Sequence, residues 1–384
     1  MGNQIDAKRI HELESRIRGE TTKWLFGLDD VAKILTRALF MRLPYPDKIT
    51  RTVLLGQPHI MFVGATGVGK TALTMAIAMA IKASFNRIQG MTHLMSHDIL
   101  GGYILAKNAV TGEMSTPFRP SKLFGNIVLL DESNRVLAEA KSALLEAMEE
   151  RSVTPEHEHI DFGEKGSAIK KVLPLFPISG DPFDEIGERF FMLMMTQNIF
   201  GEEEGTQQNP QAELDRITLC VRIDRPELEH EKKISVFNVE GKRIDEVTDL
   251  KEILSAGDFI HKTVQPTQME HEYRARLMQA TDPQTVAKVS DNKKLIKFVE
   301  ENIFVGASPR VHLHLEPVAQ VEAFFDGSSV IRPEHIKSAS RHVIPHRLKF
   351  NPTREYVLTK EFGSQAKELV FEEILKMVEL PKWK

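Results

Sequence analysis

The chain has a single cysteine, Cys220, among 384 residues, and it has no long hydrophobic run. One cysteine cannot form an internal disulfide, which favours a reducing compartment. The longest apolar stretch, 72–81, is interrupted by Thr74 and is too short to span a bilayer. The opening residues MGNQID lack the apolar core of a signal peptide. We therefore expect a soluble, cytoplasmic protein without membrane insertion.

An excess of basic charge is also missing. The 50 lysines and arginines face 54 aspartates and glutamates, so the formal net charge is −4. A nucleic-acid partner usually requires a basic face, and such a partner is therefore not expected. The hydrophobic fraction of 41% is sufficient for sizeable cores, and the length suits two or three domains.

Short apolar segments alternate with helical patterns over the first 228 residues. The predicted strands cover 59–63, 127–130, 190–195 and 217–223. The predicted helices cover 4–24, 29–42, 71–83 and 133–151, and Asp29 is the predicted N-cap of the second helix. This alternation predicts an α/β domain over 1–228, with a parallel sheet covered by helices on both faces.

The pattern changes after Pro226, where strands give way to amphipathic helices. These predicted helices cover 249–263, 266–280, 291–303, 308–325 and 333–343. We therefore expect an all-helical domain over 229–350. A charged tail follows over 351–384, with a helix predicted near 363–378.

Residues 64–71 read GATGVGKT, a full match to the phosphate-binding pattern G-x-x-x-x-G-K-[ST]. The glycines let backbone N–H groups turn towards phosphate oxygens, the lysine reaches the β and γ phosphates, and the threonine hydroxyl binds Mg²⁺. A chance glycine-rich turn is the alternative, but the predicted strand before the loop and the helix after it disfavour that explanation. The predicted nucleotide-binding residues are Gly64, Thr66, Gly67, Val68, Gly69, Lys70, Thr71 and Ala72.

Polar residues close the next two predicted strands. The segment IVLLDE ends in Asp131, a predicted ligand of Mg²⁺, and Glu132, a predicted general base for the attacking water. The alternative is a surface strand that ends in solvated acids. Asn198 closes FFMLMMTQN, where it either contacts the γ phosphate or simply forms a turn. No NKxD motif follows, since Asn292, Lys293 and Lys294 precede a leucine, and this favours ATP over GTP.

Two arginines are candidates for stabilising charge on the transferred phosphate. Arg216 lies in AELDRITL, where a salt bridge to Asp215 is the alternative role. Arg310 lies in GASPR, where Ser308 and Pro309 predict a helix start with Arg310 in the first turn. A solvated helix start is the alternative there. The residues alone favour the structural role for both arginines.

Taken together, several stretches in order resemble the MoxR family of AAA+ ATPases over nearly the whole chain. They are GATGVGKTAL, FRPSKLFGNIVLLDESNR, KSALLEAMEERSVT, TQN with EEEGT, AELDR, GASPR and VIPHRL. The resemblance implies a P-loop AAA+ αβα sandwich with an all-α lid, forming a hexameric ring with ATP and Mg²⁺ at subunit interfaces. It implies that Asn198 is sensor 1, Arg216 an arginine finger in trans and Arg310 sensor 2. It also implies a helix-2 insertion near 91–124 and a protein client, often with a von Willebrand factor A domain.

The segment 152–189 departs from the family, since it is much longer than the usual hairpin before sensor 1. It is rich in glycine, proline and apolar residues, and we expect either a partner-contacting surface or packing against its own subunit. The apolar residues at issue are Ile169, Val172, Leu173, Leu175, Phe176 and Ile178.

Three other functions remain as alternatives to a protein-remodelling ATPase. A ring that translocates nucleic acid, like its MCM-type relatives, requires a basic pore, but the insertion supplies only Lys107, Arg119 and Lys122. A nucleotide-gated scaffold has no need of the intact Glu132 and Arg216. A small-molecule kinase does not explain the helical second domain.

Overall fold

The computed structural model describes residues 5–107, 114–115, 118–154, 172–176, 188–198, 209–237 and 243–381. Its α-helices are α1 (Ala7–Thr22), α2 (Asp29–Ala38), α3 (Lys70–Ala80), α4 (Ser96–Leu100), α5 (Ala138–Glu150), α6 (Gln211–Leu214), α7 (Leu228–Ser235), α8 (Leu250–Thr263), α9 (Gln268–Ala280), α10 (Val286–Val289), α11 (Lys293–Asn302), α12 (Val311–Phe325), α13 (Pro333–Val343), α14 (Pro352–Phe362) and α15 (Ala366–Met377). Among the described helices, none has the length and apolar character needed to cross a bilayer.

The strands include one central sheet and several short antiparallel pairs. They are β1 (Leu43–Asp47), β2 (Thr52–Gly56), β3 (Ile60–Gly64), β4 (Phe85–Gln89), β5 (Gly102–Tyr103), β6 (Ala106–Lys107), β7 (Met114–Ser115), β8 (Phe118–Arg119), β9 (Ile127–Asp131), β10 (Ser152–Val153), β11 (Leu173–Pro174), β12 (Met192–Gln197), β13 (Leu219–Ile223), β14 (Ile303–Val305) and β15 (Lys349–Phe350).

The central sheet is parallel, with the strand order β13-β3-β12-β9-β4. Its inner strands β3, β9 and β12 are almost entirely buried, and successive side chains point to opposite faces. In β9, for example, Ile127 and Leu129 pack into one core and Val128 and Leu130 into the other. Helices α1 to α3 cover the first face, and α4 and α5 cover the second. The predicted αβα sandwich is therefore confirmed.

A mainly helical lid follows the sheet, and it differs from the expected all-helical domain by the short antiparallel pair β14–β15. Its amphipathic helices bury apolar stripes such as Ile253 and Ile260 of α8, and they share one core with the first face of the sheet. The C-terminal residues also join this core, because Phe371 and Ile374 of α15 are fully buried. Residues 352–377 therefore pack against the lid as two helices, α14 and α15.

Several predicted local features are wrong in detail. Asp29 is the first residue of α2 and Leu28 occupies the N-cap position, so Asp29 instead places an acid in the first turn, where the helix dipole favours it. The single helix predicted over 133–151 is a short 3-10 turn, Ser133–Arg135, followed by α5. The edge strand β4 and the β1–β2 hairpin were not predicted, because their mixed polar and apolar residues show no clear alternation.

The long segment 152–189 packs at least partly against its own subunit. Its strand β11 pairs with β10, and Leu173, Leu175 and Phe176 lie in the second core with 4% exposure or less. These three side chains therefore do not form a partner surface. Ile169 and Ile178, for which the same two alternatives are open, lie outside the described residues. The predicted insertion near 91–124 contains α4 and the short pairs β5–β8 and β6–β7.

Candidate functional site

The predicted phosphate loop connects β3 to α3 at the carboxyl edge of the sheet. Two of its glycines are required by the geometry. A Cβ on Gly64 would stand 2.1 Å from the carbonyl oxygen of Ile223, and Gly69 has φ of 90°, a left-handed conformation that disfavours other residues. Gly64 therefore lets the loop start close against the end of β13, and Gly69 lets it turn into α3, whose positive end faces the loop.

Lys70 is the buried cation of this loop, with only 7% of its surface exposed. Its Nζ donates to the carbonyl oxygens of Gly64 at 2.6 Å and Ala65 at 2.8 Å, and it lies 3.4 Å from Oδ1 of Asn198. The structure thus brings Asn198 from the end of β12 to the phosphate loop. The loop lysine and the predicted sensor residue share one site.

Asp131, at the end of β9, joins the same site. Its Oδ2 accepts from the Thr71 hydroxyl at 3.2 Å, and its Oδ1 accepts from the Thr196 hydroxyl at 2.5 Å. Arg87 of β4 donates to Oδ2 through Nη2 at 2.6 Å and through Nε at 3.0 Å. Burial alone raises the pKa of Asp131, but the hydrogen bonds from Thr196 and Arg87 outweigh it and lower the pKa below its ordinary value. Asp131 therefore stays ionised.

Glu132 has an unusual backbone, with φ of 54°. A non-glycine residue held in the left-handed region costs roughly 1–3 kcal/mol and persists only where its surroundings hold it. Here its N–H donates to the Thr196 hydroxyl at 2.8 Å. Its carboxylate accepts from Nε2 of Gln89 at 2.9 Å and lies 3.4 Å from Nε of Arg135. The predicted base is therefore held towards β4.

Arg87 and Gln89 also contact the acids of this site, and the sequence patterns did not point to them. They point to the same face of β4, and Arg87 donates to Oε1 of Gln89 at 2.6 Å. One network therefore joins Asp131, Arg87, Gln89 and Glu132. The sequence contains a pattern that could have indicated this strand. FNRIQG ends in polar residues and a glycine, as do strands at the ligand-binding edge of such sheets.

This edge of the sheet fits a magnesium nucleotide. The buried Lys70 ammonium lies against the phosphate loop, within hydrogen-bonding distance of the carbonyl oxygens of Gly64 and Ala65. The hydroxyl oxygen of Thr71 and the carboxylate of Asp131 are hard oxygen donors of the kind that Mg²⁺ prefers. Both lie beside the loop.

Arg216 and Arg310 do not join this site. Arg216 donates through Nη2 to Oε2 of Glu149 and through Nη1 to the carbonyl oxygen of Ala212 at 2.8 Å. Arg310 donates to Oε1 of the same Glu149 at 2.8 Å. The predicted alternative, a salt bridge from Arg216 to Asp215, is therefore not formed, and Arg216 pairs with Glu149.

The predicted helix start around Arg310 is wrong by two positions. Helix α12 begins at Val311, with Arg310 in the N-cap position. The Ser308 hydroxyl is buried and has no hydrogen-bond partner among the residues described, so it does not cap the helix. The N–H of Val311 instead bonds the carbonyl oxygen of Ser308 at 3.1 Å, in a tight turn.

Comparison with known proteins agrees with this architecture. The model for the ATPase family associated with various cellular activities (AAA) matches residues 59–171, and the AAA lid domain model matches residues 297–365. A solved Cytophaga hutchinsonii protein, studied as a candidate ATPase, has a TM-score of 0.73 and 22% identity over 98% of this chain and 97% of its own. This likeness shows the shared fold.

Relatives in sequence show to which group of AAA ATPases the chain is similar. Uncharacterized protein YeaC of Bacillus subtilis is 30% identical, with 87% of this chain and 88% of YeaC aligned. Chaperone MoxR1 of Mycobacterium tuberculosis is 28% identical over 86% of this chain and 76% of MoxR1. Protein MoxR of Methylorubrum extorquens is 24% identical over 89% of both chains. With a parallel αβα sandwich, a helical lid and these relatives, the chain belongs to the MoxR-type AAA+ ATPases.

Proposed function

We propose that this protein is a cytoplasmic ring ATPase that hydrolyses ATP with Mg²⁺ and uses the cycle to remodel or activate a partner protein. The single observation that carries this proposal is the meeting of Lys70, Thr71, Asp131, Glu132 and Asn198 at the carboxyl edge of one sheet. The name of the relative MoxR1, a chaperone, supports the partner-remodelling part.

Each residue then has a role in ATP hydrolysis. Lys70 holds the β and γ phosphates, and the backbone of 64–72 surrounds them. Thr71 and Asp131 would hold Mg²⁺, which when bound would neutralise charge on the phosphates. Glu132 orients the attacking water and takes its proton once its carboxylate leaves Gln89. Asn198 senses the γ phosphate beside Lys70.

The ring completes the site. We propose a hexamer in which Arg216 reaches the nucleotide of the adjacent subunit, because within its own subunit it faces Glu149 rather than the phosphate loop. The α/β core over 1–228 and the lid over 229–350 form the repeating unit. The client is a protein, and one with a von Willebrand factor A domain suits the family.

Replacement of Glu132 by glutamine tests this function. The variant keeps the size of the side chain and loses the base, so it should bind ATP with unchanged affinity and hydrolyse it at least about a hundredfold more slowly. Steady-state phosphate release and titration calorimetry measure the two quantities. The same variant, loaded with ATP and used as bait in cell lysate, should retain the client, whereas Lys70→Ala should not. Wild-type turnover by Glu132→Gln would mean that another residue is the base.

A further inference from the structure

Two arginines that the sequence places 94 residues apart, Arg216 and Arg310, share one carboxylate in the structure. Glu149 accepts Arg216 on Oε2 and Arg310 on Oε1, the latter at 2.8 Å. Among the described residues, Glu149 is the acid within 4 Å of either guanidinium. The three side chains, which we name the arginine clasp, are half-buried, with exposed side-chain fractions of 18% for Arg216, 34% for Arg310 and 32% for Glu149.

The clasp lies at the amino edge of the sheet, opposite the phosphate loop. Helix α5 begins soon after Glu132 at the carboxyl edge and ends beside His59, whose Nε2 lies 2.9 Å from the carbonyl oxygen of Met148. Its 13 residues span on the order of 20 Å. Glu149 is in its last turn, so the clasp is about that far from the phosphate loop.

The start of α12 is fixed to the same edge. Nδ1 of His314, one turn after Arg310, pairs with the Thr218 hydroxyl at 2.9 Å, and the Thr218 N–H donates to the carbonyl oxygen of His59 at 2.8 Å. His314 is buried, so this anchor lies within the protein. An arginine side chain is much shorter than α5, and Arg310 therefore cannot reach the nucleotide of its own subunit in this arrangement.

We propose that Glu149 is a positioning residue that holds Arg216 and Arg310 as one unit for the nucleotide of the adjacent subunit. The inference rests on the proposed ring function. Two guanidinium groups with one carboxylate leave a net positive charge, which suits a γ phosphate approaching from a neighbour. The carboxylate offsets the mutual repulsion of the two cations and sets their spacing before the subunits meet.

Ring assembly gives a readout that does not depend on hydrolysis. In the Glu132→Gln background with ATP, Glu149→Gln should raise the subunit concentration at which rings dissociate by about tenfold, measured by sedimentation velocity. Glu149→Asp, which keeps the charge, should recover part of the loss. The matched control is Glu150→Gln, the same change one residue along, where the carboxylate instead pairs with Lys48 at 2.6 Å. This control should leave dissociation unchanged.

The coupling within the clasp is tested by a double-mutant cycle. Once Arg216 and Arg310 are both alanine, Glu149→Gln should change dissociation by less than twofold, because residues of one unit are not additive. Thermal melting of each variant checks that the fold is retained. An unchanged dissociation concentration for Glu149→Gln, or a full additional effect in the arginine-free background, would overturn the positioning role.

Mixed rings show which subunit the clasp serves. When a clasp variant is mixed with Lys70→Ala, some interfaces combine an intact phosphate loop with an intact clasp from the neighbour. ATPase activity should therefore return for Arg216→Ala, Arg310→Ala and Glu149→Gln. Glu132→Gln mixed with Lys70→Ala should stay inactive, because every site then carries one lesion.

The outcomes separate the two proposals. If Arg216→Ala is rescued and Arg310→Ala and Glu149→Gln are not, the clasp inference is wrong and the ring function stands. If the Glu132→Gln protein forms no rings with ATP at any concentration, the ring function is overturned and the clasp inference falls with it.

Discussion

The two edges of the central sheet differ in how completely one subunit satisfies their charges. At the carboxyl edge, Asp131 and Glu132 are held by Arg87 and Gln89 of the neighbouring strand. At the amino edge, the arginine clasp joins two cations to one acid. The charged groups at the carboxyl edge can exchange their internal partners for a ligand, whereas the clasp itself holds two cations with one acid, which is why we propose a partner for it outside the subunit.

The largest expected effect is the loss of ATP binding at the carboxyl edge when Lys70 is replaced. Lys70→Ala removes the buried ammonium of the phosphate loop and should weaken ATP binding about a hundredfold or more, as titration calorimetry would show. The clasp lies on the other edge and should keep its contacts. Lys82→Ala is the control, because Lys82 follows α3 and has an exposed side chain. Full ATP affinity in Lys70→Ala would place the phosphate site elsewhere.

Truncation of Leu173 should damage the amino edge without changing nucleotide affinity. This side chain is fully buried on β11, which pairs with the strand that follows α5. Leu173→Ala should lower the free energy of unfolding by about 2–5 kcal/mol, because it leaves a cavity in the second core. Chemical denaturation measures the loss, and ATP affinity at low temperature should stay the same. If Leu173→Ala were as stable as the native chain, the side chain would not be part of the core, and the partner-surface alternative would stand.

The smallest expected effect is on the basal ATPase rate when the Glu132 carboxylate loses its partner Gln89. It tests whether the internal partners of the carboxyl edge restrain the site. Gln89→Ala removes the amide that holds the Glu132 carboxylate at 2.9 Å. The base should then reach water more often, and the basal ATPase rate should rise by about threefold or more, in line with the loss of one hydrogen bond to a charged group. Asn86→Ala, on the same strand but bonded to the carbonyl oxygen of Phe124, is the control. A fall in the rate would mean that Gln89 assists the base instead of restraining it.

The strands and motifs that are contiguous in sequence were predicted well. The loop GATGVGKT and the run IVLLDE each carry their chemistry within eight residues, and a buried parallel strand reads as an unbroken apolar run. The strand β4 was not predicted, because Arg87 and Gln89 interrupt its apolar pattern. In the structure Arg87 contacts Gln89 and Asp131 of β9. The partly apolar segment around Leu173 left two alternatives open, and burial in the structure decides between them for the described residues.

The sequence by itself determined the phosphate-loop motif between a strand and a helix, the parallel αβα core and the helical lid, because local spacing of glycine, lysine and acids, and local hydrophobic periodicity, are sufficient to predict them. Only the tertiary structure decided where the two candidate arginines go. Glu149 lies 67 residues from Arg216 and 161 from Arg310, and no local pattern connects them. Their meeting depends on the length of α5 and on the docking of α12 against the amino edge, which bring together side chains from three distant parts of the chain.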